Sequence, residues 1–222
     1  MKLSFREVKA NRKIKVFIKR TERYLDVLGY TDHGLRHVSI VSERAADVAK
    51  KIGLSKRDQE LAAICGFCHD MGNFMGRTYH HYWSAFLFSQ VYLNKATNPD
   101  EVAEIMQAIV AHDKNEFKID SRVAACLILA DKSDVDRSRV KDKTVSNIAK
   151  DIHDRVNYSV THTHLTVDKV KKEIILKMKL DTHVTDAMEY FEIFTERMTF
   201  CRQAAQFLGY EFVLIINDNR LS

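Results

Sequence analysis

A mainly α-helical bundle followed by a small C-terminal α+β subdomain is the architecture these 222 residues predict, and three observations carry that reading. The chain holds one proline (Pro99) and seven glycines, so helix breakers are scarce. Up to residue 131 the apolar side chains recur at spacings of three and four, as on one face of a helix. Beyond about residue 152 they alternate, as in a half-buried strand. The boundary divides the chain into residues 1–150, a helical unit, and 151–222, an α+β unit packed on it. Hydrophobic residues at 45% and charged residues at 29% exclude a wholly disordered chain. The longest apolar runs, such as residues 212–216, are too short to cross a bilayer, so no membrane partner is expected.

The elements follow in chain order. Residues 1–24 carry nine Lys or Arg against two Glu, and the remaining 26 cations face 28 acids. The basic segment therefore reads as a solvated helix, and nothing downstream argues for a nucleic-acid face. Lys and Arg recur too often here for a signal peptide, so the expected location is cytoplasmic and the four cysteines are expected as reduced thiols. In residues 31–52 Val41, Ala45, Val48 and Ile52 form a helical stripe that also carries His37. A second helix takes Leu61, Ile64, Cys65 and Cys68 into His69 and Asp70 and is stopped by Gly72. A third begins at about His80 and runs through Phe86 and Val91. The Asn98-Pro99-Asp100 cap signal opens a fourth, with Val102, Ile105 and Ile109 inward and His112 continuing their stripe. A fifth, residues 121–131, places Ala124, Leu127, Ile128 and Asp131 on one face. Further on, Ile174, Leu176, Met178 and Leu180 alternate with Lys177 and Lys179, and the Thr- and Val-rich residues 156–167 are the expected partner strand. A helix stripe of Met188, Phe191, Phe194, Met198, Cys201, Ala205 and Leu208 follows, ended by Gly209, and residues 212–216 read as a buried strand. That stripe exceeds what one small sheet covers, so the surplus should pack on the helical unit or on a second copy of the chain, as a homodimer.

Six of the ten histidines lie between residues 33 and 112. A His or Asp on an apolar helix face costs desolvation free energy unless it is hydrogen-bonded or bound to a metal. His37, the pair His69-Asp70, His112 and Asp131 each sit on the inward stripe or at the end of a different helix, so one bundle can converge them on a point. Imidazole and carboxylate donors without thiolates suit a divalent transition metal such as Mn²⁺, Fe²⁺, Co²⁺, Ni²⁺ or Zn²⁺. A carboxylate next to the His ligand has a second oxygen with which to bridge another ion ~3.5–4 Å away.

The order His37, then His69-Asp70, then Asp131 resembles the H…HD…D signature of the HD-domain superfamily of metal-dependent phosphohydrolases. The contexts Arg36-His37-Val38, His69-Asp70-Met71-Gly72-Asn73 and Ala130-Asp131-Lys132 agree with it over about residues 20–140. The resemblance implies a helical metal-binding domain holding one or two ions. In two-metal members further histidines contribute; His80, four residues before Ser84, and His112 in Ile109-Val110-Ala111-His112 match them, with His81 the alternative to His80. Asp113 stands where such members often have another histidine, which leaves the metal count open. The implied activity is hydrolysis of a nucleotide or other small phosphoester through metal-activated hydroxide, with Asp70 as the catalytic residue. A non-catalytic nucleotide- or metal-binding signalling module and a di-iron oxygenase are the alternatives.

His33, one turn before His37, is a candidate phosphate contact, or else part of a cap formed by residues 31–33. Lys132 is expected on the surface, since helical geometry turns it roughly 100° from Asp131. Cys65-Gly66-Phe67-Cys68-His69 also spells C-x-x-C-H, a haem-attachment pattern, but its cysteines lie on an apolar stripe and its His belongs to the other motif. His153, His162, His164 and His183 read as surface residues.

Overall fold

The computed structural model describes residues 3–94, 98–113 and 118–221. Helices α1 (Phe5–Ala10) and α2 (Arg12–Val27) come first. Ile14, Ile18, Thr21 and Leu25 of α2 are buried, while its six Lys and Arg residues point outward, so the basic segment is one solvated face of an amphipathic helix. Helices α3 (Leu35–Lys51), α4 (Lys56–Cys68), α5 (His80–Tyr92), α6 (Pro99–Ala111) and α7 (Arg122–Lys132) form the bundle. Helix α7 is its axis: Val123 through Ala130 are all buried, and α3, α4 and α6 pack around it. The start signal at Asn98 is used as written, and a second cap comes to light at Ser55. Asn98 accepts from the N–H of Asp100 at the head of α6, and Ser55 and Asp58 form a reciprocal capping box on α4. Helix α3 begins at Leu35, later than the apolar stripe suggests, because the Asp32 carboxylate takes the N–H of Gly34 and holds residues 31–33 as a loop.

Two glycines permit the approaches on which the site depends. A Cβ on Gly66 would lie 2.7 Å from the Ser42 backbone, where α4 crosses α3. A Cβ on Gly72 would lie 2.4 Å from the Ser84 nitrogen, where the turn after α4 meets α5. That turn is also tied by Gly72 N–H donating to Ser84 Oγ (2.8 Å) and by Thr21 Oγ1 of α2 donating to the Met71 carbonyl (3.1 Å).

After α8 (Val145–Lys150) and α9 (Ile152–Ser159) come β1 (Val160–Asp168), β2 (Glu173–Leu180), α10 (Ala187–Phe207), β3 (Glu211–Ile216) and β4 (Asn219–Arg220). The sheet order is β1-β2-β3-β4; α10 is the crossover that makes β2 and β3 parallel, and the other pairs are antiparallel. Register places Leu165 opposite Leu176 and Ile174 opposite Phe212. Two expectations are corrected here. Residues 156–159 finish helix α9, because Asp151 caps it by accepting from the N–H groups of His153 and Asp154. Met188 is 66% exposed, and the buried stripe of α10 starts at Tyr190 and continues through Phe194 and Cys201 to Ala205. The surplus of that stripe packs on α7. Among the described residues no helix is long and apolar enough to cross a membrane.

Candidate metal centre

Four of the predicted residues meet in the core of the bundle. His37 Nε2 lies 3.2 Å from His69 Nε2, 3.5 Å from Asp70 Oδ2 and 3.4 Å from Asp131 Oδ1. His69 Nε2 lies 3.4 Å from Asp70 Oδ2 and 3.5 Å from Asp131 Oδ1. Donors about 2.0–2.1 Å from a common centre in a tetrahedral shell stand roughly 3.3–3.4 Å apart, so these spacings suit one first-row ion. His80 and His112 form a second group: their Nε2 atoms are 3.2 Å apart, and lie 3.2 and 3.8 Å from Asp70 Oδ1. Asp70 thus turns one oxygen to each group. His81 is buried, and groups with His80 and Asp113 rather than with Asp70.

Backbone geometry fixes which nitrogen each ring offers. His69 Nδ1 donates to the Gly66 carbonyl (2.9 Å), His80 Nδ1 to Arg77 (2.8 Å) and His112 Nδ1 to Ile109 (2.5 Å), in each case the residue three positions earlier. His69 and His112 follow directly on the last residues of α4 and α6, where helix carbonyls lack a partner. His37 Nδ1 is held by Asp134 Oδ2 at 2.7 Å. With Nδ1 protonated on every ring, the neutral imidazoles direct Nε2 lone pairs at one another and at carboxylate oxygens. Lone pairs facing lone pairs in a buried space need a cation, either a proton or a metal. Without a metal, protons fill the role: burial alone would push His69 down, but Asp70 and Asp131 raise it to about 10, and His37 is also raised, by Asp131, Asp134 and Asp70. His112, buried beside those charged rings, is pushed down to about 3. Despite burial, His69 and His37 hold the Asp70 carboxyl well below the usual range. The donor set, its spacing and its fixed tautomers all fit a divalent metal.

The supporting residues are ones the motifs do not name. Asp134, fully buried, also receives Arg36 at 2.9 Å. Arg139 donates to the carbonyls of Asp32 (2.9 Å) and Asp134 (2.8 Å), which locks residues 31–33 against the end of α7. Lys132 is buried rather than on the surface, and this corrects the helical-wheel expectation. Its flexible stem brings Nζ back to Asp131 Oδ2 at 2.8 Å and within 3.6 Å of Asp113. A helical wheel places Cα atoms and says little of where a four-carbon side chain ends. Asp113 faces Lys132 and His80, which draw its carboxyl down to about 2 against the effect of burial.

Asp70, Asp131, His80, His112 and Lys132 line an enclosed cavity of about 20 Å³, room for about one water-sized occupant. His33, Arg77 and Arg197 line both this cavity and a chamber of about 450 Å³ that adjoins it, walled further by residues 28–31 and by Asp154 and Asn157 of α9. His33 faces that shared throat, with its Nδ1 on the Thr31 carbonyl (2.5 Å). Arg197 of α10 had no signal in the sequence, since only the packing of α10 on α7 brings it there. Cys65 and Cys68 are buried in the core with thiols pushed up by burial, and His69 faces the cluster, so the C-x-x-C-H spacing has no exposed face for a haem. His153, His162, His164 and His183 are all exposed, and His153 also borders the chamber.

Over 160 residues, 62% of the chain, the sequence is 28% identical to the uncharacterized protein MJ1020 of Methanocaldococcus jannaschii. The match spans 61% of that relative's length. Residues 34–136 match the family model described as HD domain, a segment that includes His37, His69, Asp70, His80, His112 and Asp131, and over this segment the chain is similar to the HD-domain superfamily.

Proposed function

We propose that the protein is a metal-dependent phosphohydrolase that cleaves a nucleotide or other small phosphoester in the 450 Å³ chamber. The carrying observation is Asp70, which presents Oδ2 to His37 and His69 and Oδ1 to His80 and His112. HD domains bind divalent metals, and the residue groups here are able to hold one. In this reading His37, His69, Asp70 and Asp131 would hold one ion, and Asp70, His80 and His112 would hold a second. Bound divalent ions supply an acidified water at neutral pH and neutralise charge on phosphoryl oxygens.

The chain's own residues do the rest. Lys132 neutralises the outer oxygen of Asp131 and so keeps Oδ1 turned to the histidines. Asn73 Nδ2 donates to Asp70 Oδ1 (2.9 Å), which fixes the rotation of the shared carboxylate. Arg77, anchored on Asn73 Oδ1 at 2.8 Å, stands at the throat between cavity and chamber with His33, where a phosphoryl group would enter. The narrow cavity limits free water beside the reacting group. The test is elemental analysis of the purified protein combined with a panel of nucleotides and phosphate esters assayed with Mn²⁺, Co²⁺, Ni²⁺ and Zn²⁺. Metal-dependent phosphate release from a member of the panel is the expected result. Absence of release with every metal, or oxygen-dependent turnover of an iron-loaded protein, would overturn the reading.

A further inference from the structure

Cations outnumber carboxylates around the small cavity: Arg77, Lys132, Arg139 and Arg197 face Asp70, Asp113 and Asp131. Three of these cations are occupied. Lys132 is held by Asp131 and Asp113, Arg139 by backbone carbonyls, and Arg77 by Asn73 with Asp70 at 4.0 Å. Arg197 is different. Among the described residues it forms no ion pair, and its guanidinium lies over the Phe194 ring, 4.7 Å from the centroid. Burial, Arg139 and Arg77 disfavour its charged form, and the more distant pull of Asp131 and Asp113, neither of them in ion-pair contact with it, only partly offsets them. A half-buried guanidinium held beside other cations, at a throat open to a chamber, is a site short of an anion. Each bound divalent ion would deepen that shortage by two charges.

We infer that Arg197, supplied by α10 from outside the HD domain, binds the phosphate of a dianionic phosphomonoester and sets a preference for monoesters over monoanionic phosphodiesters. The inference takes its substrate from the hydrolase reading above, but the binding it describes does not depend on turnover. A guanidinium can take two phosphoryl oxygens side by side, and a monoester keeps three terminal oxygens to share between Arg197, Arg77 and the metal centre. A diester has only two and carries half the charge.

The test titrates methyl phosphate and dimethyl phosphate into the full-length Mn²⁺-loaded protein at about pH 8, where the monoester is a dianion. The parent should bind methyl phosphate at least about tenfold more tightly than dimethyl phosphate. Arg197→Met should lose about tenfold or more for the monoester and little for the diester, at unchanged Mn²⁺ content, and Arg197→Lys should recover part of the loss. Equal binding of the two esters by the parent, or parent-like monoester binding by Arg197→Met, overturns the inference. Should Arg197→Met fail to fold, Arg197→Lys decides: it must bind the monoester more weakly than the parent. Phosphate release is read separately. Arg197-dependent binding without hydrolysis of any ester would refute the hydrolase reading and leave this one standing; hydrolysis with Arg197-independent binding would do the reverse.

Discussion

Replacing Asp134 by Asn probes how far the metal centre depends on a residue that offers it no ligand. The buried Asp134 carboxylate receives His37 Nδ1 at 2.7 Å and Arg36 at 2.9 Å, and Arg139 approaches to 3.8 Å. Asparagine has nearly the same shape, but one carbonyl oxygen cannot serve all three donors, and its amide turns a donor toward at least one of them. Removing one partner of a buried charge network costs about 3–5 kcal/mol. The Arg36 side chain, at 28% exposure, recovers part of its hydration, whereas Arg139 at 4% does not, which favours the lower end, about 3 kcal/mol. For a chain of this size that is a fall in Tm of roughly 6–12 °C, measured by thermal unfolding with chelator present. Loss of the fixed His37 tautomer should weaken metal binding by about 10–100-fold, or roughly 1.4–2.7 kcal/mol, in a competition titration. The pH dependence has a definite sign. His37, Arg139 and Arg36 depress the Asp134 carboxyl in the folded state despite burial, so its contribution is complete above the unfolded Asp value of about 3.9 and is lost as pH falls toward the folded value. The stability gap between metal-free parent and variant should therefore be fullest at about pH 5–6, where Asp134 is ionised and the His37 that it helps to raise is charged, and should narrow below about 4. A variant with parental Tm and metal affinity within twofold would refute the claim that Asp134 positions His37.

Other outcomes follow from the same geometry. Asp70→Ala should abolish metal retention in elemental analysis while the far-ultraviolet circular dichroism stays helical; metal content equal to the parent would remove Asp70 from the centre. Protein loaded with Mn²⁺ should approach two ions per chain and His112→Ala one, whereas a parental ratio near one would leave His112 outside the ligand set. Because Asp70 and Asp131 raise the metal-free His69 to about 10, metal uptake at pH 7 should release protons, and affinity should fall as pH falls; calorimetry in buffers of different ionisation enthalpy measures this, and zero release would contradict it. Truncation at about residue 150 should uncover the face of α7 on which α10 now packs, at about 1.5–3 kcal/mol for each large side chain exposed, and cause aggregation seen by light scattering. A soluble truncated chain as stable as the parent would show that α10 does not complete the bundle core.

The bundle was legible because its signals are local. Asn98 and the Val41–Ala45–Val48 stripe act within a turn or two of where they stand, and each does in the structure what its type suggests. Residues 156–159 are helical although they open the Thr- and Val-rich run 156–167, because a single capping residue, Asp151, settles the local backbone first. Lys132 misled for a related reason, since burial of a long charged side chain is decided by what surrounds its tip. Asp134, Arg139 and Arg197 carry no local pattern: Asp134 reaches His37 across 97 positions, Arg139 reaches Asp32 across 107, and Arg197 lines the cavity only because α10 packs on α7.

The positions of the histidines nevertheless follow a rule the chain does carry. A helix ends with carbonyls that lack intrahelical partners, and an imidazole placed just past the end can spend Nδ1–H on one of them. His69 does so on Gly66 and His112 on Ile109, each from the residue that ends its helix; His80 uses the Arg77 carbonyl in the loop that leads into α5. That one hydrogen bond selects the tautomer and aims Nε2 into the core. His37 sits within the first turn of α3, where the Gly34 carbonyl takes the N–H of Val38, and its Nδ1 makes no such bond to the carbonyl three residues back. It needs a side chain instead, and Asp134 is that side chain. The centre thus tolerates loss of no single backbone turn around three of its histidines but depends on one carboxylate for the fourth, which is why substitution of Asp134 should weaken metal binding through His37 while leaving the Nδ1 bonds of His69, His80 and His112 in place.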